Sequence, residues 1–365
     1  MKILRRYCGF ELIFPTLMSL LLFTFIFMVG HLVKLADLLV NKGVSLWDVI
    51  VMLLLAVPSV FGFILPTSVL ASILLTFGGF AQNNEITAMK ASGVNIVKVM
   101  IPVIAAAFLL SIFSLFLVDQ IEPYAQYTLR QMTRQMVVKR PTAYIEAERF
   151  IKDFEGYVMW VNKVEGKRLE GIRIYEPQEK GPARTILAEA GEIIPSEDEL
   201  SLSIKLFNGT SDEPNPDDPS ILYKLNFETF TIPNLTLGKA SGGKGKKPRE
   251  MMLDELLYRL KHDKSISQAP KEKRVLRAEI NKRIAFAFAT FVFAMIGLPA
   301  AIITRRGEAV VSFTIAMSIV AIYYVCFAWM RTLAVSGSMP PEISLWLPNI
   351  VMVLVSIFLF RRAVY

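Results

Sequence analysis

The chain has very few of the side chains on which most enzymes depend. Its 365 residues include only two cysteines, Cys8 and Cys326, and two histidines, His31 and His262. One cysteine precedes an apolar run and the other lies inside one, so they indicate neither a disulfide framework nor a thiolate metal site. The sequence contains no visible nucleophile–histidine arrangement, paired-histidine motif or glycine-rich dinucleotide turn. It therefore predicts no catalytic residue, no metal site and no cofactor.

A phosphate-binding loop is also missing, although residues 238–244 (GKASGGK) come close to one. The next residue is Gly245, where Ser or Thr would hold Mg²⁺, and Pro248 follows too soon for a helix to begin. Residues 238–247 are therefore interpreted as a flexible linker.

The sequence is rich in apolar residues, since 53% of its residues are hydrophobic. They are concentrated towards both ends, around a polar middle. This distribution is typical of an integral membrane protein with a soluble insert. The net charge of +8 comes from basic residues beside the apolar runs rather than from one patch. Anionic lipid is therefore the expected counter-charge, and nucleic acid is not.

Six apolar segments predict six membrane spans, at residues 10–33, 47–80, 99–118, 284–303, 309–333 and 343–360. The first begins like a signal peptide but is too long and has no cleavage site, so it is interpreted as a retained anchor that ends at Lys34. The second contains Pro58 and Pro66, and we expect one kinked helix that extends beyond the bilayer and ends at Gly78–Gly79. No span carries a carboxylate at its middle, which argues against a proton-coupled carrier.

The polar middle predicts an all-β domain. Short alternating runs occur at residues 144–154, 157–164, 169–175, 184–194, 200–207 and 221–232. Strands without intervening helices favour a sandwich, a jelly roll or an open barrel, and the pattern at Thr229–Phe230 indicates a bulge. The predicted domains are residues 1–123 with spans one to three, 124–250 with the all-β insert, and 251–365 with spans four to six. The last domain begins with an interfacial helix whose apolar face carries Met251, Met252, Leu256, Leu257 and Leu260.

Charge predicts the orientation of the spans. With six spans, the basic residues near both termini and in the loops around residues 90–98 and 305–306 all lie on one side. The loop at residues 334–342 has no Lys or Arg, as an outer loop should. The positive-inside rule therefore predicts a multi-pass membrane protein with both termini cytoplasmic and the β domain outside.

Residues 81–95, between spans two and three, form a polar segment that carries Glu85. It is interpreted as a short cytosolic helix held between two spans, a geometry suited to transmitting force from a partner.

Three basic residues lie near the predicted outer ends of spans: Lys34, Lys282 and Arg283. Two interpretations are open for each: snorkelling to lipid headgroups, or a ring of cations facing a phosphorylated lipid.

These residues together resemble the lipopolysaccharide-export permease family LptF/LptG. The resemblance is carried by Leu65-Pro66-x-Ser68, Gly78 and Asn84-Glu85-Ile86-Thr87-Ala88-x-x-Ala91-Ser92-Gly93. Support comes from Glu279-x-x-x-Arg283, Arg306-Gly307, Trp346 and Asn349. Residues 297–301 (GLPAA) depart from the Pro-Leu-Gly often found in the family. The sequence of residues 83–93 and the Arg-Arg-Gly before span five favour the LptF type.

The resemblance implies a non-catalytic permease of the cell inner membrane that pairs with a second, LptG-type permease around a cavity open to the outer leaflet of that membrane. A cytosolic ATPase dimer of the LptB type, which binds the ATP, docks on the coupling helix, and the jellyroll passes lipopolysaccharide to a periplasmic bridge protein of the LptC type. The ATPase contact is expected at Glu85, Ile86, Met89, Ser92 and Gly93. The lipid phosphates are expected at Lys34, Lys282 and Arg283.

Two other classes stay open from the sequence. A permease for another lipid or lipoprotein shares the architecture but is not expected to carry the Glu85 motif. A membrane-anchored structural or sensor protein does not need six spans and an internal coupling segment.

Overall fold

A computed structural model of the chain describes residues 2–40, 44–139, 147–151, 154, 156–177, 183–195, 202–214, 222–235, 246–263, 269–304 and 308–364. The helices are α1 (Lys2–Val40), α2 (Leu46–Ala56), α3 (Pro58–Gln82), α4 (Glu85–Ala91), α5 (Ile96–Phe116), α6 (Glu122–Lys139), α7 (Leu253–His262), α8 (Pro270–Thr304), α9 (Ala309–Ser336), α10 (Pro341–Ser344) and α11 (Leu347–Val364). A π-helical turn, Leu117–Ile121, joins α5 to α6, and a 3₁₀ turn, Pro248–Glu250, precedes α7.

Among the residues that the structure describes, six helical segments are long and apolar enough to cross a membrane: Ile3–Val40, Pro58–Gln82, Ile96–Thr133, Pro270–Thr304, Val310–Ser336 and Pro341–Ala363. The predicted number and order of spans are thereby confirmed. The third segment runs through the π-helical turn into α6, so the chain stays helical beyond residue 118, where the apolar run ends.

The prediction of one kinked helix over residues 47–80 is wrong. The chain forms two helices, with α2 ending at Ala56 and α3 beginning at Pro58. The break occurs there because the ring nitrogen of Pro58 carries no N–H to bond to the preceding turn. With 25 residues, α3 is about 37 Å long and crosses a bilayer by itself. Gly78 and Gly79 do not end it either, since it continues to Gln82.

Pro66 is accommodated inside α3. The hydroxyls of Thr67 and Tyr324 both donate to the carbonyl of Phe63, at 2.7 and 3.1 Å, in the turn that the proline weakens. Pro66 lacks the N–H that would bond to the carbonyl of Gly62, and the two hydroxyl bonds support the next carbonyl in the same turn.

The centre of the helical unit is the contact between α3 and α8. A Cβ atom added to Gly297 would lie 2.9 Å from Leu70 Cδ1 and 3.3 Å from Ile73 Cγ2. Because Gly297 has no side chain, the two helices approach closely, as is common where membrane helices pack. Asn349 then joins three helices, since it accepts from Tyr323 Oη at 2.8 Å and donates to the carbonyl of Ala285 at 2.9 Å.

The inserted β region is also confirmed. Strands β1 (Phe150–Ile151), β2 (Val158–Glu165), β3 (Arg168–Glu176), β4 (Arg184–Pro195), β5 (Leu202–Pro214) and β6 (Leu222–Leu235) pair antiparallel in sequential order within one sheet. The described strands therefore form a meander. One face is apolar, with Met159, Val161, Leu169, Ile172 and Ile174 at most 1% exposed.

Two local predictions are wrong. Thr229 and Phe230 pair regularly with Phe207 and Leu206, and the register shift instead lies at Leu202/Ile204, opposite the stretch of β6 that contains Pro233. Proline donates no ladder hydrogen bond, so the irregularity occurs there.

In α7, Leu256 is fully buried against Met251 and Leu276, whereas Leu257 is 46% exposed. Neighbouring positions on a helix point about 100° apart, so the two leucines do not share the apolar face.

The chain divides into two compact units. One comprises Met1–Val33, Leu53–Tyr127 and Lys246–Tyr365, and the other comprises Lys34–Met52 and Thr128–Gly245. Within the second unit, Leu38 packs against the apolar cluster of the sheet.

Candidate functional site

The predicted coupling segment is a separate helix, α4, bounded by two residues with left-handed backbone. Asn84, which precedes it, has φ 60°, and Gly93, which follows it, has φ +73°. Asparagine and glycine adopt this conformation more easily than other residues, so they end α3 and α4 sharply. Asn95 then begins α5, where its side chain accepts from the Val97 N–H at 2.9 Å.

One face of α4 is bound to the helical unit. Ile86 is 6% exposed and belongs to the large apolar cluster. Lys90 Nζ donates to the carbonyl of Ala363 at 2.8 Å, which ties α4 to the end of α11. Between these contacts lies a cavity of about 230 Å³, which Ile302 and Ile303 of α8 also line.

The opposite face of α4 is open. Ala88, Ala91 and the following Ser92 are exposed. A helix that is held on one side and exposed on the other moves with the helical unit and presents a ready surface to another molecule.

Glu85 lies at the N-terminus of α4, partly buried, beside a second cavity of about 400 Å³. Tyr7 and Glu11 of α1 line the same cavity, and the ring of Tyr7 lies 5.5 Å from that of Phe80. The carboxylate is favourably placed at the positive end of the short helix.

The five residues predicted for ATPase contact are thus brought together on α4 and the turn that follows it. Ser92 and Gly93 are exposed, and Glu85 and Met89 are partly buried. Ile86 points inward, so in this structure its side chain anchors the helix.

A second site is a buried ionic cluster at the beginning of the apolar part of α8. Arg283 and Glu279 have side chains 3% and 5% exposed, and Arg283 Nε lies 3.7 Å from Glu279 Oε1. Lys282 Nζ contacts the same oxygen at 2.9 Å, and Arg331 Nη2 of α9 lies 3.9 Å from Glu279 Oε2. Asp119, in the π-helical turn, lies 3.6 Å from Arg283 Nη1.

The cluster also binds the segment that follows the inserted sheet. Arg283 Nη2 donates to the carbonyls of Pro248 and Arg249 at 3.2 and 3.1 Å. The Leu253 N–H donates to Asp119 Oδ1 at 2.8 Å, at the first residue of α7. Charged partners make these hydrogen bonds stronger than neutral ones, so the chain is held where it re-enters the helical unit.

Lys282 and Arg283 therefore lie side by side and share Glu279. Arg283 is enclosed, and Lys282, with its side chain 15% exposed, lies nearer the surface. Lys34 is exposed on α1, which continues past it to Val40 rather than ending before it. Lys34 belongs to the other compact unit. Arg306 and Gly307, and also residues 238–245, lie outside the described residues.

No group of three or more His, Cys, Asp or Glu side chains that could hold a metal ion occurs among the residues that the structure describes.

The family model described as "Lipopolysaccharide export system permease LptF/LptG" matches residues 6–362. The chain belongs to this family.

Individual relatives agree with the family assignment. The chain is 22% identical to the lipopolysaccharide export system permease protein LptF of Escherichia coli K12, over 98% of this chain and 94% of that protein. It is 28% identical to the LptG protein of the same organism, over 47% of this chain and 48% of that protein. An uncharacterized protein of Rickettsia prowazekii is 22% identical over 71% of each chain.

Sequence reasoning found one side of the ionic cluster in this LptF/LptG-family chain and missed the other. Glu279, Lys282 and Arg283 are spaced i, i+3 and i+4, which places them on one helix face. Asp119 and Arg331 come from distant parts of the chain, and a single sequence carries no signal that pairs them with α8.

We expect Arg283→Met to destabilise this permease-family protein strongly. It removes the cation that Glu279 and Asp119 share, so partly buried Asp119 loses this charge partner and buried Glu279 keeps only Lys282 and Arg331. Breaking a buried ion pair costs up to about 3–5 kcal/mol. The measurement is thermal unfolding of the purified chain in detergent.

Arg277→Met on the same helix is the matched control, because Arg277 is 48% exposed and pairs with Glu342 at 3.7 Å. A surface pair of this kind contributes about 0–1 kcal/mol. Equal unfolding temperatures for both variants would contradict a structural role for the cluster.

Proposed function

We propose that this chain is the LptF-type permease subunit of a lipopolysaccharide exporter. It removes lipopolysaccharide from the outer leaflet of the inner membrane and passes it through its β domain towards the outer membrane. The near-full-length similarity to LptF of Escherichia coli supports the LptF type, since the LptG match spans about half of the chain.

The observation that supports the proposal most strongly is the packing of α4. Its inner face is fastened to α3, α8 and α11, and its outer face is exposed. Force applied to that outer face reaches the membrane helices directly. We infer that the outer face binds a cytosolic ATPase of the LptB type, which hydrolyses ATP while this chain acts without a catalytic site or cofactor of its own.

Two further partners belong to the proposal. A second permease, of the LptG type, forms the other half of the membrane cavity, and an LptC-type protein receives the glycolipid from the β domain. The exposed apolar side chains on the spans, such as Phe25, Val33, Val310 and Ile322, are compatible with contact to lipid and to a second permease.

Lipid phosphates are proposed to meet Lys34 and the α8 pair Lys282 and Arg283. Lys34 is exposed and available to an anion. Lys282 and Arg283 act from within the ionic cluster, where Glu279 holds both cations in place.

The proposed orientation places α4 and both termini in the cytoplasm and the β domain in the periplasm. Its support is the positive-inside distribution of Lys and Arg.

Replacing Glu85 with alanine should reduce lipopolysaccharide export while the protein stays in the membrane. Removing a central charged contact of an interface costs about 2 kcal/mol or more, which is roughly 30-fold in affinity. Co-purification of the ATPase and transport of lipopolysaccharide out of the inner membrane are both measured.

Glu308→Ala serves as the matched control for Glu85→Ala, because Glu308 is an exposed carboxylate at the start of α9. Normal export and normal ATPase recovery with Glu85→Ala would remove the coupling role from α4.

Cysteine labelling tests the orientation. In a background in which Cys8 and Cys326 are replaced by serine, Ser338→Cys should react with an impermeant thiol reagent in spheroplasts. Asn83→Cys should react only after lysis. Both positions are exposed in the structure, so access depends on the side of the membrane. Labelling of Asn83→Cys from outside would refute the orientation.

Lys34→Asp should impair glycolipid capture more than Lys42→Asp does, because a charge-assisted Lys–phosphate contact contributes about 1–3 kcal/mol. Lys34→Arg should retain most function, since it keeps the charge. The measurements are photo-crosslinking to lipopolysaccharide from position 34 and growth of each variant. Equal tolerance of aspartate at both positions, without a crosslink at 34, would identify Lys34 as a snorkelling side chain.

A further inference from the structure

A narrow apolar groove lies between α1, α3 and α5, at the end of the helical unit that also carries α4. Its volume is about 300 Å³. On α1, the lining residues Arg5, Gly9, Leu12 and Thr16 recur at helical spacing, and the stripe reaches Leu17 about 18 Å farther along the helix. The groove is therefore long, and it follows the direction in which a lipid chain lies in a membrane.

The walls leave this groove open. A Cβ atom added to Gly9 would meet nothing within 4 Å. Ala106 of α5, an exposed residue, faces the groove from the other wall. Small residues on both walls thus leave room that larger apolar side chains would fill.

The hydroxyl groups that line the groove form hydrogen bonds within the protein. The hydroxyl of Thr16 donates to the Leu12 carbonyl at 2.6 Å and lies 3.0 Å from Ser72 Oγ. Ser72 Oγ donates in turn to the Val69 carbonyl at 3.0 Å. Since its hydroxyls are bonded within the protein, an apolar chain can occupy the groove without leaving a polar group unsatisfied.

One end of the groove is basic. Arg5 is exposed, and its Nε donates to the carbonyl of Lys98 at 3.1 Å, which joins α1 to the first turn of α5 across the groove. That bond uses one of the five N–H donors of the guanidinium. The guanidinium of arginine matches the geometry of a phosphate group, and here it lies at the end of an apolar groove.

We propose that this groove is a binding site for an anionic phospholipid, with one acyl chain between α1, α3 and α5 and its phosphate on Arg5. The charge complementarity between Arg5 and a lipid phosphate favours this occupant over a lipid that lacks a phosphate or a protein helix. The bound lipid covers Ile13 and Leu17, which are 51% and 52% exposed, and fastens α1 to α3 and α5. With the proposed orientation it belongs to the cytoplasmic leaflet, so it is distinct from a glycolipid taken from the outer leaflet.

The test uses the full-length chain in nanodiscs and a phosphatidylglycerol probe with a diazirine in its acyl chain. Crosslinks are expected on peptides that contain residues 5–17 and 102–110. Unlabelled phosphatidylglycerol should compete, and dioleoylglycerol, which lacks the phosphate, should compete much less.

Two pairs of variants test the basic end and the apolar part of the groove separately. Arg5→Gln should weaken probe binding by about tenfold, as expected for loss of a charge-assisted contact. Arg6→Gln should leave it unchanged, because Arg6 lies over the ring of Phe10 and does not line the groove. Gly9→Leu should abolish the crosslinks, whereas Gly30→Leu, at the other open glycine of α1, should keep them.

Ala106→Leu fills the groove from α5 and repeats the test if Gly9→Leu does not fold. Persistent crosslinks in the folded filling variants would overturn the proposal, and so would equal competition by dioleoylglycerol. Loss of the crosslinks when a second permease is added would also overturn it, because the occupant would then be protein.

Discussion

The close contact between α3 and α8 is the constraint on which the rest of the helical unit depends. At Gly297 the two helices approach so closely that Leu70 and Ile73 occupy the space of a side chain. A dense contact of this kind transmits displacement, because packed side chains resist compression. α4 follows α3 after a two-residue turn, and α8 leads from the ionic cluster at one end to the cavity beside α4 at the other. Under the proposed function, a push on α4 thus has a continuous packed route to the cluster.

The ionic cluster is the second determinant. Burying Arg283 and Glu279 costs solvation free energy, which nearby opposite charges and carbonyls offset. The contacts that offset it come from the π-helical turn, from α9 and from the segment that precedes α7. The cluster therefore holds the two points at which the chain leaves and re-enters the helical unit around the β insert.

The ends of the helices show which features the local sequence determines and which depend on tertiary contacts. Pro58 begins a helix while Pro66 lies within one, although both are prolines in the same apolar run. The difference is tertiary, since the hydroxyl of Tyr324, from a distant helix, bonds to the carbonyl of Phe63 in the turn beside Pro66. Likewise Gly78 and Gly79 stay helical, and the helix ends instead where Asn84 takes a left-handed backbone.

Hydrophobic runs, charge asymmetry and alternating strands were sufficient to predict the six spans, the all-β insert and a short helix carrying Glu85. These features depend on solvent preference along the chain, which each residue type expresses locally. Only the tertiary structure decided that Ile86 faces inward, that Arg283 is enclosed by Asp119 and Glu279, and that small residues on α1 and α5 leave a groove open. Such contacts join residues far apart in sequence, and their geometry depends on how whole helices pack rather than on any local pattern.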